Sequence, residues 1–329
     1  MTRVTRVLVL QGGPSSEAAV SRVSAAGVAA ALTRQGLEVT LAEFNRGALQ
    51  CMLTEPFDVV FPVLHGALGE DGCVQGLCEI LALPYVGSGV RASAVAMYKP
   101  SAKRVFAGAG LPVLPEVVVR RGDSVQHASI HARAELGSSV AVKPSAGGSA
   151  IGVELFRGAS AAQMAEVFAR LLEVSDELLV ERLVVGRELT CGVLGTGAAA
   201  QALPPTEIHA LTGAFYDYQS KYAAGGSRHE CPAVLSSDET ALVQDMAMRA
   251  HQALGCRDLS RSDVLRDERG AFWILETNTM PGFTATSLLP EAAAVAGTDF
   301  GALCMQLVTW ALERGATTRE AEVAFPAAP

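Results

Sequence analysis

Four polar side chains near the C-terminus have the types and spacing of a site for metal-bound phosphates. Two strand-like segments, 259–266 and 272–278, are joined by the turn Asp267-Glu268-Arg269-Gly270, which predicts a β-hairpin. Side chains alternate along strands, so a register that pairs Arg266 with Ala271 puts four polar residues on one face. These residues are Arg261, Asp263, Glu276 and Asn278. Their carboxylate and amide oxygens are hard ligands that suit Mg²⁺, and the arginine can neutralise an oxyanion.

The same register predicts which residues face each other across the hairpin. Arg261 is expected opposite Glu276 and Asp263 opposite Ile274, while Leu275 belongs to the other, apolar face. A hairpin that is merely salt-bridged at the surface is the competing interpretation. An apolar opposite face and an asparagine late in a strand both favour a site over that alternative.

A glycine-rich loop follows a lysine in the middle of the chain. Lys143 ends the apolar strand 140–143, and the loop 145–152 comes next. Such a loop can bind phosphates through its backbone N–H groups, although a glycine hairpin turn has the same composition. Together with a carboxylate cluster elsewhere, the loop points to ATP. Glu181 and Glu188, after the next buried strand, could bind an adenine amino group and a ribose or be ordinary rim charges.

Lysine is rare in this chain, which has 26 basic residues. The lysines are Lys99, Lys103, Lys143 and Lys221, and the other basic residues are arginines. A lysine retained in an arginine-rich chain is expected where a compact ammonium group is needed, as in contacts to phosphate.

Composition and motifs argue against several classes of protein. The net charge is −8 and aromatic residues make up 5%, which disfavours a nucleic-acid-binding protein. No lysine follows a glycine, as a P-loop requires, and no serine lies at the centre of a G-x-S-x-G elbow. The seven cysteines form no C-x-x-C pair, which indicates a reducing cytoplasm. The apolar stretch near the N-terminus is too short for a signal peptide, and no apolar run reaches transmembrane length.

The elements expected around these residues alternate between strands and helices. A strand at 7–10, a glycine turn, a helix at 17–35 and a strand at 37–44 predict a parallel α/β sheet. Ligands bind at the carboxyl ends of such strands, where the segments 12–17 and 65–72 are polar and rich in glycine.

An ordered set of motifs extends along nearly the whole chain. The motifs are Gly12-Gly13 with Ser15-Ser16-Glu17, residues 61–66, Gly69-Glu70-Asp71-Gly72, residues 84–89, residues 142–145, Phe215-Tyr216-Asp217-Tyr218 with Lys221-Tyr222, and Leu275-Glu276-Thr277-Asn278 with Pro281-Gly282. In this respect the chain resembles the D-alanine–D-alanine ligases of the ATP-grasp superfamily.

The resemblance implies a three-lobed ATP-grasp architecture with an N-terminal parallel α/β sheet and two α+β lobes that clasp ATP. The expected domains are a substrate-binding domain at 1–94, a central lobe at 95–180, and a C-terminal lobe with the metal site and a lid loop at 181–329. The implied reaction phosphorylates the carboxylate of one D-alanine, and the amine of a second displaces phosphate. The product, D-alanyl-D-alanine, serves peptidoglycan synthesis. ATP as co-substrate, two Mg²⁺ ions (or Mn²⁺) and a cytoplasmic homodimer without nucleic-acid or membrane partners are implied as well.

The resemblance also implies roles for individual residues. The phosphate contacts are Lys99, Lys143 and Lys221, and the Mg²⁺ ligands are Asp263, Glu276 and Asn278. The adenosine contacts are Glu181, Glu188 and the backbone near Leu183 and Val184, and Phe215 and Leu275 are further ATP contacts. The oxyanion is stabilised by Arg261 and the N–H of Gly282. The first ammonium is anchored by Glu17, linked to Ser149 and Tyr222, and the second carboxylate is seated at Ser287 and Leu288. His65 lies in the substrate-side loop, where a structural role is an equal alternative.

Several positions depart from the family's usual residues: Ala18, Ala19, Tyr98, Gln219 and the pair Ala285-Thr286. None removes an implied contact, but they leave the choice of acceptor open. The alternatives are a related ligase with another donor or acceptor and a nucleotide-binding protein without activity. In the resembled family a tyrosine at the position of Tyr222 accompanies dipeptide rather than ester synthesis.

Overall fold

The computed structural model describes residues 4–148, 152–210 and 226–316, and its strands form three sheets. The N-terminal unit comprises β1 (Arg6–Gln11), α1 (Ala18–Arg34), β2 (Glu38–Glu43), α2 (Arg46–Thr54), β3 (Val59–Pro62) and α3 (Cys73–Ile80). Its strands are parallel in the order β2-β1-β3, which confirms the predicted parallel α/β sheet. The polar loops after β1 and β3 meet at one edge, where the Ser15 hydroxyl donates to the His65 carbonyl at 2.6 Å.

The central unit is an antiparallel sheet that two helices cover on one face. After α4 (Val90–Met97) and α5 (Lys99–Gly108), it comprises β4 (Glu116–Arg120), α6 (Val125–Leu136), β5 (Val140–Pro144), β6 (Glu154–Phe156), α7 (Ala161–Val174) and β7 (Glu177–Arg182). The strand order is β4-β7-β5-β6. Val140 and Val142 join the core under α6 and α7. Alternation along β5 therefore turns Ala141 and Lys143 to the opposite face.

The C-terminal unit contains the largest sheet. It comprises β8 (Gly186–Leu194), a 3₁₀ turn (Gly197–Ala199), β9 (Gln201–Ala202), β10 (Thr206–Ala210), β11 (Ser227–Glu230), α8 (Ser237–Leu254), β12 (Leu259–Asp267), β13 (Phe272–Asn278), α9 (Leu288–Val295) and α10 (Phe300–Arg314). The strand order is β11-β10-β8-β12-β13, with β9 beside β8. The capping box expected before α8 is present, because Ser236 and Glu239 exchange hydrogen bonds with each other's backbone N–H.

The predicted hairpin exists, but its predicted register is wrong. Arg266 lies opposite Phe272 rather than Ala271, and a β-bulge between Asp263 and Val264 shifts the register by one more residue. Asp263 therefore lies opposite Glu276, while Arg261 is paired with Asn278. The extra residue is on β13, and it brings Leu275 to the cleft instead of the opposite face.

Helices from one part of the chain pack on the sheet of another. Phe106 of α5 belongs to the same buried cluster as Ile274 of β13, so α4 and α5 pack on the C-terminal sheet. Helix α10 packs instead on α1 and β3 of the N-terminal unit, and Phe283 packs against Phe61 with ring centroids 5.7 Å apart. The predicted domain division remains a prediction. Its second boundary, between 180 and 181, falls within β7.

A buried ion pair joins the N-terminal and C-terminal units. The Asp258 carboxylate is fully buried, and Arg314 at the end of α10 contacts both of its oxygens, at 2.6 and 2.9 Å. Asp258 also accepts the Gly87 N–H at 2.8 Å, and Arg314 donates to the Tyr85 carbonyl at 2.7 Å. Because these partners come from both units, the pair fixes how the units meet.

No single helix within the described ranges is both long and apolar enough to cross a bilayer. Helices α9 and α10 reach the length and hydropathy of a membrane span only when taken together, and they are bent by 103° at the break between them.

We expect Arg314→Met to lower the free energy of unfolding by about 3 kcal/mol, because a buried carboxylate loses its cation. Arg121→Met is the matched control, since Arg121 pairs with Asp176 at the surface and its loss should cost about 0.5 kcal/mol or less. Urea unfolding measures both. Equal losses in the two variants would show that the buried pair does not hold the units together.

Candidate active site

A cleft between the central and C-terminal sheets contains most of the predicted nucleotide contacts. It measures about 1320 Å³ when the open space at its mouth is included. The predicted residues that line it are Lys99, Lys143, Glu181, Leu183, Val184, Glu188, Asp263, Leu275 and Glu276. They come from both sheets, so the cleft exists only where the two sheets face each other.

A chain of ion pairs forms the wall of the cleft on the central sheet. Glu181 of β7 is buried, and its two carboxylate oxygens are contacted by Lys143 on one side and Lys103 on the other. Burial raises the pKa of Glu181, but the two ammonium groups outweigh this effect and hold that pKa below its usual range. Burial likewise lowers the pKa of Lys143, and Glu181 more than compensates, so the pKa is raised. Both groups are therefore charged at neutral pH.

The other end of this wall is apolar. Leu183 and Val184 follow β7, and the Leu183 N–H donates to the Ser139 carbonyl at 3.0 Å. Glu188 lies opposite Leu265 in the sheet, and both line the cleft. An apolar pocket next to a carboxylate suits a planar base with polar edges.

The hairpin β12–β13 supplies the acidic wall of the cleft. Asp263 and Glu276 are direct cross-strand partners, and both line the cleft. The guanidinium of Arg261 contacts both oxygens of Asp263, at 3.0 and 2.9 Å, and Thr190 donates to the same carboxylate at 2.6 Å. Asp263 thereby holds Arg261 in one orientation.

The donor set of this wall fits Mg²⁺. Two carboxylates face each other across the hairpin, and Asn278 adds an amide two residues beyond Glu276 on the same strand. Within the described part of the chain, the buried Asn278 amide nitrogen has no hydrogen-bond partner, so this donor could bind an anionic group, whereas the amide oxygen is the atom that could bind Mg²⁺. Hard oxygen donors of this kind bind Mg²⁺ together with waters and phosphate oxygens.

The glycine-rich loop is attached to the start of α5. Lys99 donates through its ammonium to the Gly147 carbonyl at 2.5 Å and through its N–H to the Ser145 carbonyl at 2.8 Å. Tyr98 pairs with Ala146 as an isolated β-bridge, and its hydroxyl donates to Glu177 of β7. The side chain of Tyr98, one of the departures from the family's usual residues, thus connects the start of α5 to β7.

A smaller cavity adjoins the cleft on the side of the N-terminal unit. It shares Lys99, Gly147, Gly148 and Glu276 with the cleft, and it adds Glu70. Asn278 lines this cavity rather than the cleft. The two cavities meet where the glycine loop approaches the acidic wall.

Two buried glutamates lie next to each other beside this cavity. A Cβ at Gly148 would lie 3.0 Å from an oxygen of Glu17, and one at Gly66 would lie 3.1 Å from that same oxygen, so a side chain at either position would press on the carboxylate. Glu70 accepts the Gly66 N–H at 2.7 Å. Burial, reinforced by the charge of Glu17, raises the pKa of Glu70 to about 8.

His65 belongs to the same group of side chains. Its Nδ1 lies 3.2 Å from the Met280 carbonyl. Burial lowers the pKa of His65, although the nearby Glu17 carboxylate opposes that effect. His65 is therefore neutral at pH 7.

The residues predicted for the second carboxylate lie at the start of α9. Ser287 precedes Leu288, and its hydroxyl accepts the Thr284 N–H at 3.0 Å. A Cβ at Gly282 would lie 3.4 Å from that hydroxyl oxygen. Gly282 and Ser287 are thus neighbours, as a shared role at the substrate requires.

Four predicted residues lie outside the described residues: Ser149, Phe215, Lys221 and Tyr222. Conversely, sequence reasoning assigned no role to Lys103 and Glu70. The scarcity of lysine was a signal for Lys103, and the polar segment 65–72 was a signal for Glu70. Neither revealed that the side chain is buried.

Comparison with known proteins gives one consistent result. A family described as the D-ala D-ala ligase C-terminus matches residues 105–309, and the corresponding N-terminus family matches residues 43–88. The D-alanine–D-alanine ligase of Parvibaculum lavamentivorans is 43% identical and covers 97% of this chain and 100% of that relative. The ligase of Ruegeria pomeroyi is 46% identical over 92% of this chain and 95% of the relative.

Solved structures agree with the sequence comparison. The D-alanine–D-alanine ligase of Bacillus anthracis, complexed with ATP, superposes with a TM-score of 0.81 at 25% identity, covering 94% of this chain and 98% of that one. The D-alanyl-alanine synthetase A of Vibrio cholerae reaches a TM-score of 0.83 at 27% identity, covering 95% and 100%.

We expect Glu70→Gln to remove a pH dependence of stability. The folded protein keeps Glu70 protonated up to about pH 8, whereas the unfolded chain releases that proton near pH 4.5. The folded state therefore holds more protons between these values, and stability falls as pH rises, by at most about 1.4 kcal/mol per pH unit. The variant should gain stability relative to the wild type as pH increases from 5 to 8.

Urea unfolding at pH 5, 6, 7 and 8 measures this difference. Glu166→Gln, at an exposed position of α7, is the control and should follow the wild type. A difference between Glu70→Gln and the wild type that stays constant with pH would contradict a buried, protonated Glu70.

Proposed function

This chain belongs to the D-alanine–D-alanine ligase family and has its ATP-grasp fold, and we propose that it joins two D-alanine molecules to D-alanyl-D-alanine while ATP becomes ADP and phosphate. The observation that carries the proposal is the junction of the two cavities. The cleft with Lys143 and Glu181 shares Glu276 and Gly148 with the smaller cavity, and Gly148 lies against the Glu17 carboxylate. The phosphate end of a bound nucleotide would thus face the amino-acid site.

The proposed reaction has two steps. The carboxylate of the first D-alanine attacks the γ-phosphorus, an oxygen–phosphorus bond forms, and the bond to ADP breaks. The amine of the second D-alanine, after losing a proton, attacks the acyl carbon of this acyl phosphate. The tetrahedral intermediate then expels phosphate and leaves the peptide bond.

The chain's own residues supply binding and charge for these steps. Lys99 and Lys143, with Lys221, would bind the phosphates. The apolar end of the cleft, with Glu181 and Glu188, would bind the adenosine. Phe215 and Leu275 are proposed as further ATP contacts. Asp263, Glu276 and Asn278 would hold Mg²⁺, which when bound neutralises phosphate charge.

At the substrate end, the Glu17 carboxylate would bind the first ammonium, together with Ser149 and Tyr222. Arg261 and the N–H of Gly282 would stabilise the oxyanion of the tetrahedral intermediate. Ser287 and Leu288 would seat the second carboxylate. We also propose, from the family alone, that the protein acts as a cytoplasmic homodimer in peptidoglycan synthesis.

The direct test of the function is ADP release with ATP, Mg²⁺ and single substrates. We expect turnover with D-alanine and none with L-alanine, because the anchoring groups define one hand of the substrate. With D-alanine and D-lactate together, mass spectrometry should find the dipeptide and negligible ester at neutral pH. Comparable amounts of amide and ester would identify a related ligase with a different acceptor, and no ADP release at all would contradict a ligase.

We expect Arg261→Lys to lower kcat by about 100-fold or more with little change in KM for ATP, because a contact made mainly with the oxyanion acts on the transition state. An ammonium group lacks the fixed pair of donors that a guanidinium presents. Arg266→Lys on the same strand is the control, because Arg266 pairs with Glu239, whereas Arg261 contacts Asp263 of the acidic wall. A rise in KM alone would make Arg261 a contact to the ground-state phosphate.

A further inference from the structure

Lys103 has no part in the binding scheme above, yet it is among the most buried charged residues of the chain. It is 2% exposed. Its ammonium donates to the Leu114 carbonyl at 2.9 Å, lies 2.7 Å from a Glu116 oxygen and contacts Glu181. A lysine is buried in this way only when each donor has a partner, and here two of the partners are carboxylates.

The position of Lys103 relative to the cleft differs from that of Lys143. Both contact Glu181, but on different oxygens. Lys143 and Glu181 line the cleft, whereas Lys103 is not among the described residues that do so. Lys103 thus lies behind Glu181, out of reach of a nucleotide, and Lys143 lies in front of it.

Glu181 has to remain compensated when a nucleotide binds. Phosphate oxygens compete with Glu181 for the ammonium of Lys143, because both are anionic and lie on the same cleft. If Lys143 were the sole cation beside Glu181, its transfer to phosphate would leave a buried, uncompensated carboxylate, which is strongly unfavourable. With Lys103 in place, Glu181 keeps one cation throughout.

The helix α5 gives this arrangement a fixed geometry. Lys99 and Lys103 lie four residues apart and therefore on the same side of α5. Lys99 contacts the glycine loop and Lys103 contacts Glu181, so one helix supports both parts of the phosphate site.

We propose that Lys103 is a positioning residue for ATP: it is the permanent counter-ion of Glu181 and thereby releases Lys143 to the nucleotide phosphates. This inference rests on the proposed ATP-dependent function. The effect of Lys103 on binding therefore depends on the phosphates of the nucleotide and on the charge of Glu181. It does not depend on the base or the sugar.

The test compares the binding of Mg²⁺–ATP and of adenosine by isothermal titration calorimetry. Lys103→Met should weaken ATP binding by about tenfold. The affinity for adenosine should change by less than about twofold, because adenosine has no phosphates that compete with Glu181 for Lys143. The KM for ATP should rise more than kcat falls. Arg104→Met, at an exposed position of the same helix, removes the same charge as a control and should leave both ligands unaffected.

A double-mutant cycle with Glu181→Gln isolates the mechanism. Glu181→Gln removes the charge that Lys103 compensates, so Lys103→Met should add no further loss of ATP affinity in that background. Equal weakening of ATP and adenosine by Lys103→Met, or no weakening of either, would overturn the proposal. A further tenfold loss of ATP affinity in the Glu181→Gln background would overturn it as well.

Folding of the variants is checked by thermal unfolding. If Lys103→Met alone does not fold, the double variant, in which both charges are absent, is compared with Glu181→Gln, and equal ATP affinity supports the proposal. A wild-type protein that fails to bind Mg²⁺–ATP would contradict the proposed function itself and is recognised before any variant is measured.

Discussion

Compensation of buried charge is the constraint on which the cleft depends. Its wall on the central sheet carries Glu181 between two lysines, and its opposite wall carries Asp263 under Arg261. Each of these charged groups contacts a group of opposite charge, and removal of either partner would leave a charge without compensation. The same ion pairs hold in position the charged side chains that would bind ATP, Mg²⁺ and an oxyanion. Stability and the proposed function therefore depend on the same contacts.

This constraint also explains why three sheets and distant helices have to meet. Helix α5 precedes the central sheet in the chain, yet it packs on the C-terminal sheet and extends its lysines to the central one. The Asp258–Arg314 pair holds the N-terminal unit against the C-terminal one. The cleft and the smaller cavity are therefore products of packing between units, and neither belongs to one unit.

Much of this could be predicted from local pattern. The strand–turn–helix order predicted the parallel sheet, and the alternation of the hairpin correctly put Asp263 and Glu276 on one wall. The register was wrong because Asp267, rather than Arg266, pairs with Ala271 at the turn, and because a bulge on β13 adds a second shift that no local pattern indicates. The roles of Lys103 and Glu70 were not predicted for a similar reason. Both residues matter because they are buried, and burial depends on how the units pack together.

In the proposed scheme, Lys143 is shared between Glu181 and the nucleotide while Lys103 stays in place. A crystal structure of this chain with Mg²⁺ and a non-hydrolysable ATP analogue is the decisive measurement. We expect the Lys143 ammonium within hydrogen-bond distance of a phosphate oxygen, with Lys103 still in contact with Glu181. Phosphates bound elsewhere, with Lys143 still paired to Glu181, would contradict it.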